Sequence, residues 1–191
     1  MNLPNKLTVI RIIMSPIFLF FLVVDIPYHT LIALILFIAA SLTDYADGKI
    51  ARSQNLITDF GKFLDPLADK MLTTAAFIGF IALDIGMGIV WITMIMLTRE
   101  FLLTSLRLSA AGSGTVIAAS IWGKIKTVCQ MAAIIITIIW LVLLEIGSLP
   151  VTVTDVFRII TMITLWISAV MTVISGIIYM KDNAGFVDVN K

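Results

Sequence analysis

Residues 30–69 read TLIALILFIAASLTDYADGKIARSQNLITDFGKFLDPLAD. The first fourteen carry no charge, and the run then passes directly into Asp44, Asp47, Asp65 and Asp69, four of the five carboxylates within 26 residues. A spanning helix takes about 20 mostly apolar residues, so residues 30–52 have the length of a span whose far end is acidic. An aspartate at the centre of a span costs about 2.5–3.5 kcal/mol on insertion scales, which puts these acids at its mouth. On a helix, Asp44 and Asp47 fall roughly 60° apart and Asp65 and Asp69 roughly 40° apart, so each pair shares a face. Two such faces turned together make a four-carboxylate cage. A solvated loop accounts for Asp59, but not for the common-face spacing of the other four.

Outward from this stretch the apolar pattern repeats. The chain has 191 residues, is 60% hydrophobic and 13% charged, and has a mean hydropathy of +1.10, more apolar than a soluble domain of this size needs. Blocks at about 7–24, 30–52, 60–83, 89–109, 120–145 and 156–180 predict an all-α integral membrane bundle of six transmembrane helices in a single domain, 1–191. A short N-terminal interfacial segment, Asn2 to Thr8, opens it. Residues 25–29, 84–88 and 147–154 read as turns, and 109–114 as a loop of small residues. No internal repeat is evident, and the first block lacks the cleavage site of a signal peptide.

Of the 13 lysines and arginines, 12 fall on one side of this six-span plan and only Arg158 on the other. The positive-inside rule makes that side cytoplasmic, with both termini and the aspartates. Arg11 is expected to snorkel to the headgroups. The single histidine, His29, falls on the opposite side as an ordinary surface residue, which leaves no route through a phosphohistidine. Cys129 stands alone in an apolar block, so neither an intramolecular disulfide nor a thiolate metal site is available. A net charge of +1 implies no nucleic-acid partner.

Grouped hard oxygens without thiol or imidazole suit Mg²⁺, Mn²⁺ or Ca²⁺. Gly48 and Ala51 lie on the face of Asp44 and Asp47 and present almost no side chain, leaving room for a ligand or for a neighbouring helix. Arg52 adds a planar cation suited to phosphate. Metal, arginine and clearance together point to a phosphate-rich ligand. Pro66 disfavours helix at Asp65; a helix starting near Asp59 nevertheless keeps Gly61, Asp65 and Asp69 on one face.

The spacing D-x₂-D-G-x₂-A-R-x₈-G-x₃-D-x₃-D, from Asp44 to Asp69, resembles that of the CDP-alcohol phosphotransferase family, with all eight fixed positions present. Residues 2–11, 99–107 and 114–127 are similar to its bacterial branch that uses glycerol 3-phosphate. The resemblance implies a multi-pass enzyme of the cell membrane with its active site at the cytoplasmic face. Its expected reaction moves a phosphatidyl group from CDP-diacylglycerol to glycerol 3-phosphate, releasing CMP. It further implies two divalent ions, Mg²⁺ or Mn²⁺, on Asp44, Asp47, Asp65 and Asp69, with Asp69 as general base and Asp65 beside it in catalysis. Asp47, Gly48, Ala51, Arg52, Gly61, Asn5 and Thr8 are implied around the nucleotide, and the assembly is implied to be a homodimer. Ala75 and Gly79 offer one close-packing surface for it.

An anionic acceptor calls for cations beyond the cage. Arg107 and Lys124, then Lys126 and Arg99, are the expected ligands of its phosphate, with hydroxyls from Thr104 and Ser105; the same cations also suit anionic lipid headgroups. Alternatives are the same chemistry on serine, inositol phosphate or phosphatidylglycerol, or a cation-coupled transporter, which predicts midplane acids and broken helices in repeated halves.

Overall fold

The computed structural model describes residues 3–53, 59–112, 120–147 and 150–183. Within these, the side chains of residues 3, 4, 44–53, 59–63, 65, 66, 69, 108, 109, 111 and 112 lie outside what is described. Six helices follow one another: α1 Leu3–Val23, α2 His29–Ser53, α3 Asp59–Ala82, α4 Ile89–Gly112, α5 Ile121–Ile146 and α6 Val151–Asp182. Four contain stretches long and apolar enough to cross a membrane: Asn5–Val23, Ile89–Arg107, Ile121–Ile146 and Val151–Asp182. In α2 and α3 the corresponding apolar parts, His29–Thr43 and Lys70–Ala82, are shorter. The remaining turns of those two helices carry the aspartates.

The outer faces are apolar and the interior is partly polar, which is the arrangement of a multi-pass membrane protein. On α1, Ile10, Ile13, Ile17 and Phe20 are exposed, whereas Asn5, Thr8, Arg11 and Ser15 are buried and give way to Phe18 and Leu22. On α6, Thr161, Ser168, Thr172 and Ser175 face inward. Such hydroxyls can satisfy themselves on their own helix: Thr172 Oγ1 donates to Ser168 O at 2.8 Å and Ser15 Oγ to Arg11 O at 2.9 Å.

Helix α1 packs on α2 and α3, α5 on α6 and α2, and α4 on α6 and α3. Phe18 and Phe37 meet between α1 and α2 with ring centroids 5.4 Å apart. Small residues set the closest approach: a Cβ on Gly79 would run into Leu22 Cδ2 and stand 3.2 Å from Leu19 Cδ1. Of the residues expected to form a dimer surface, Gly79 thus packs within the chain against α1 and Ala75 is buried. The reason is steric, because glycine lets α3 come close enough for the leucines of α1 to fill the gap.

The turns hold the far ends together. Glu145, at the end of α5, accepts from the backbone N–H groups of His29 at 3.0 Å and Thr30 at 3.1 Å, and also from Thr30 Oγ1. It thereby caps the start of α2 from another helix, where free N–H groups favour a carboxylate. Gly147 ends α5 in the left-handed region, φ 68°, and its N–H donates to Leu144 O.

Several sequence expectations are refined. Residues 3–8 of the expected N-terminal segment are helical and form the first turns of α1, with Asn5 and Thr8 buried. Arg11 does not snorkel: it is 1% exposed, because it shares the polar face of Asn5, Thr8 and Ser15 that turns inward. Helix α6 starts at Val151, so the turn is shorter than expected; Pro150 sets its first residue and Thr154 Oγ1 bonds Val151 O. Helix α3 begins at Asp59 and runs on through Pro66, as expected. Each helix is continuous among the described residues, unlike the broken helices of the transporter alternative.

Candidate active site

Helix α2 ends at Ser53 and α3 begins at Asp59, so their adjoining ends lie at one end of the bundle. Asp44, Asp47, Gly48, Ala51 and Arg52 occupy the last turns of α2; Gly61, Asp65 and Asp69 occupy the first turns of α3. Unbroken helix through both segments keeps the i, i+3 and i, i+4 spacing that gives each aspartate pair a common face. The side chains of all eight residues lie outside those described.

At the same end, α3, α4 and α5 bring a charged cluster together. Glu100 of α4 is at its centre. Its Oε1 meets Lys126 of α5 and lies 3.2 Å from Arg99 Nη1, while Oε2 faces Lys70 Nζ of α3 at 3.9 Å. Lys70 also donates to Thr104 Oγ1, and that hydroxyl donates to the carbonyl of Glu100 at 2.6 Å. Glu100 and Thr104 are four residues apart, so both look from α4 toward α3. Lys126 belongs to the buried stripe of α5 that continues through Gln130 and Ala133, and is itself 2% exposed.

Arg99 is turned about 100° from Glu100 along the helix and lies between α5 and α6. Its Nη2 donates to Ser175 Oγ at 3.2 Å. Its stem fits because Gly176 has no side chain: a Cβ there would stand 3.3 Å from Arg99 Cγ. Two turns further on, the exposed Arg107 donates from Nε to Tyr179 Oη at 3.0 Å, with its guanidinium carbon 5.2 Å from the ring centroid. Ser120 caps α5 by accepting from Gly123 N at 3.2 Å. This fixes the first turn of α5, from which Lys124 projects into solvent and Lys126 into the bundle.

The family model of CDP-alcohol phosphatidyltransferases matches residues 1–174. The chain belongs to the CDP-alcohol phosphatidyltransferase family. Among curated relatives, a CDP-diacylglycerol–glycerol-3-phosphate 3-phosphatidyltransferase of Bacillus subtilis (strain 168) is 40% identical over 194 residues, covering 95% of each chain. Proteins of the same name from Rickettsia bellii and Haemophilus influenzae are 38% and 33% identical, covering 94% of this chain and 94% of the Rickettsia protein, and 96% of this chain and 94% of the Haemophilus protein.

In this CDP-alcohol phosphatidyltransferase, two groups of expected site residues meet different surroundings. Arg107 and Lys124 are exposed, whereas Lys126 and Arg99 are drawn into the cluster around Glu100. Asn5 and Thr8 are buried on the inward face of α1, beside the similarly buried Arg11. Sequence reasoning gave no role to Glu100 or Lys70. A signal was present: Glu100 is the only acid in α4, and an acid within an apolar span needs a cationic partner.

Proposed function

We propose that this chain transfers the phosphatidyl group of CDP-diacylglycerol to glycerol 3-phosphate, giving phosphatidylglycerophosphate and CMP in the synthesis of phosphatidylglycerol. The observation that carries this reading is the full-length likeness to proteins named for that reaction, in a chain that has the whole aspartate pattern. On this reading residues 1–191 form one domain with six spans in the cell membrane. Both termini and the active site face the cytoplasm, where CMP and a water-soluble acceptor exchange while the acyl chains stay in lipid.

The donor set fits divalent ions: four hard carboxylates on adjoining helix ends, with His29 at the opposite end of the bundle beside Glu145. Asp44, Asp47, Asp65 and Asp69 would hold two ions, Mg²⁺ or Mn²⁺. Bound there, they would supply the positive charge that offsets a pyrophosphate during in-line displacement at phosphorus. Gly48, Ala51, Gly61 and Arg52 leave space and charge for the nucleotide, joined by Asn5 and Thr8. Asp69 accepts the proton of the attacking hydroxyl on its carboxylate. The acceptor oxygen then bonds the lipid-linked phosphorus and the phosphorus–oxygen bond to CMP breaks. Arg107 and Lys124 receive the acceptor's phosphate from the solvent side, with Lys126 and Arg99 behind them. A homodimer is the assembly that fits the family.

The test is release of CMP by purified protein given CDP-diacylglycerol, Mg²⁺ or Mn²⁺, and one candidate acceptor at a time. Glycerol 3-phosphate should support release; release with serine, inositol phosphate or phosphatidylglycerol alone would sink the acceptor assignment.

A further inference from the structure

Glu100 presents a problem of charge. An acidic side chain stands within an apolar helix, in the part of the protein that is proposed to receive an anion. A carboxylate there repels a phosphate and is itself costly to bury. Three cations face it from three helices: Lys126 of α5, Lys70 of α3 and its own neighbour Arg99, which is tied onward to Ser175 of α6. Arg107 is the next cation along α4 and is engaged by Tyr179 instead.

We infer that Glu100 is a positioning residue: it holds Lys126 and Arg99 in register for the acceptor's phosphate and fixes them, through Lys70, to the helix that carries Asp65 and Asp69. The inference rests on the reading above that these cations take up the acceptor phosphate.

The two carboxylate oxygens divide the work. Oε1 serves Lys126 and Arg99 together, and Oε2 faces Lys70. Without a negative charge between them, three cations this close repel one another, and the aliphatic stems of the two lysines have other rotamers to take up. The carboxylate lets them pack before any anion arrives, so the acceptor meets preset donors. Lys70 follows Asp69 directly in sequence. A tie from Lys70 to α4 therefore fixes the backbone beside the proposed base relative to the phosphate-binding cations. The distance between those two places is what a glycerol phosphate must span.

Glutamine cannot replace this arrangement. Its amide keeps one acceptor oxygen but turns N–H donors toward an ammonium or guanidinium. Aspartate keeps the charge on a stem shorter by one methylene and should recover part of the function.

The experiment is steady-state CMP release with each substrate varied in turn at saturating concentration of the other, and thermal unfolding on the same samples, for the full-length protein and Glu100→Gln, Glu100→Asp, Lys126→Met and the Glu100→Gln/Lys126→Met double variant. Glu100→Gln should raise the KM for glycerol 3-phosphate by about tenfold or more while the KM for CDP-diacylglycerol changes by less than about twofold. Glu100→Asp should lie between it and the wild type. In the Lys126→Met background the added loss from Glu100→Gln should shrink to about threefold or less, because the two changes break one interaction. A loss that is equal in both KM values, tracks the thermal midpoint and is not relieved by aspartate would make Glu100 a stability residue only and overturn the inference. Fully multiplicative effects in the double variant would also overturn it, leaving the acceptor reading intact. An unchanged KM for glycerol 3-phosphate in Lys126→Met would remove the acceptor role of Lys126 itself and the inference with it.

Discussion

Replacing Gly79 by leucine tests the packing of α1 on α3. A single Cβ at this position already collides with Leu22 Cδ2 and comes within 3.2 Å of Leu19 Cδ1. Leu22 is fully buried, so it has no path into lipid by which to make room. Overfilling a packed contact of this kind costs about 1–3 kcal/mol, and alanine, with one methyl, falls at the low end. For a chain of this size each kcal/mol moves the thermal midpoint by about 2–4 °C, so Gly79→Leu should lower it by about 2–12 °C. The assay is thermal unfolding in detergent, followed by intrinsic fluorescence, with size-exclusion chromatography and light scattering on the same samples. The oligomeric state should not change, since the glycine faces the chain's own first helix. An unaltered midpoint, or loss of a dimer without loss of monomer stability, would refute the packing argument.

Asp69→Asn should abolish CMP release while binding of a CDP-containing ligand, measured by titration calorimetry, changes by less than about tenfold, since it removes the proposed base and leaves three carboxylates. Near-normal turnover would remove Asp69 from that role. At the other end of the bundle, Glu145→Ala should lower the thermal midpoint by about 2–4 °C, the effect of a lost helix cap. The remaining folded protein should release CMP at the wild-type rate, and a selective loss of turnover would contradict the separation of the two ends. Tyr179→Phe removes the acceptor for Arg107 Nε but keeps the ring, whereas Tyr179→Leu removes both. The KM for glycerol 3-phosphate should rise by about two- to tenfold for leucine and by less for phenylalanine; equal values for all three proteins would separate Arg107 from the acceptor.

The helices were legible because their signals are local. Apolar blocks of spanning length, punctuated by Asp84–Gly88 and by Gly147 with Pro150, set the number and order of the elements, and the boundaries moved by only a few residues. The helix through Pro66 was also legible, because Gly61, Asp65 and Asp69 share a face only if it starts early. The side-chain partners were not legible to the same degree. Arg11 has the same sequence surroundings whether it snorkels or turns inward, and the outcome depends on the inward rotation of a face that also carries Asn5, Thr8 and Ser15. Glu100 was visible as an isolated acid, but Lys70 and Lys126 stand 30 and 26 residues from it in the chain.

The sequence by itself determined the six helices, the gathering of the acidic stretch at one end and the membership of a family defined by the spacing from Asp44 to Asp69. Those properties are written in helical periodicity and hydropathy, which depend on near neighbours. Tertiary structure alone decided that Gly79 packs on α1 and Ala75 is buried, that Arg11 is enclosed, and that one carboxylate on α4 gathers cations from α3, α4 and α5. Such outcomes depend on which helix faces meet across the bundle. Steric fit between distant segments sets those meetings, and no local pattern encodes it.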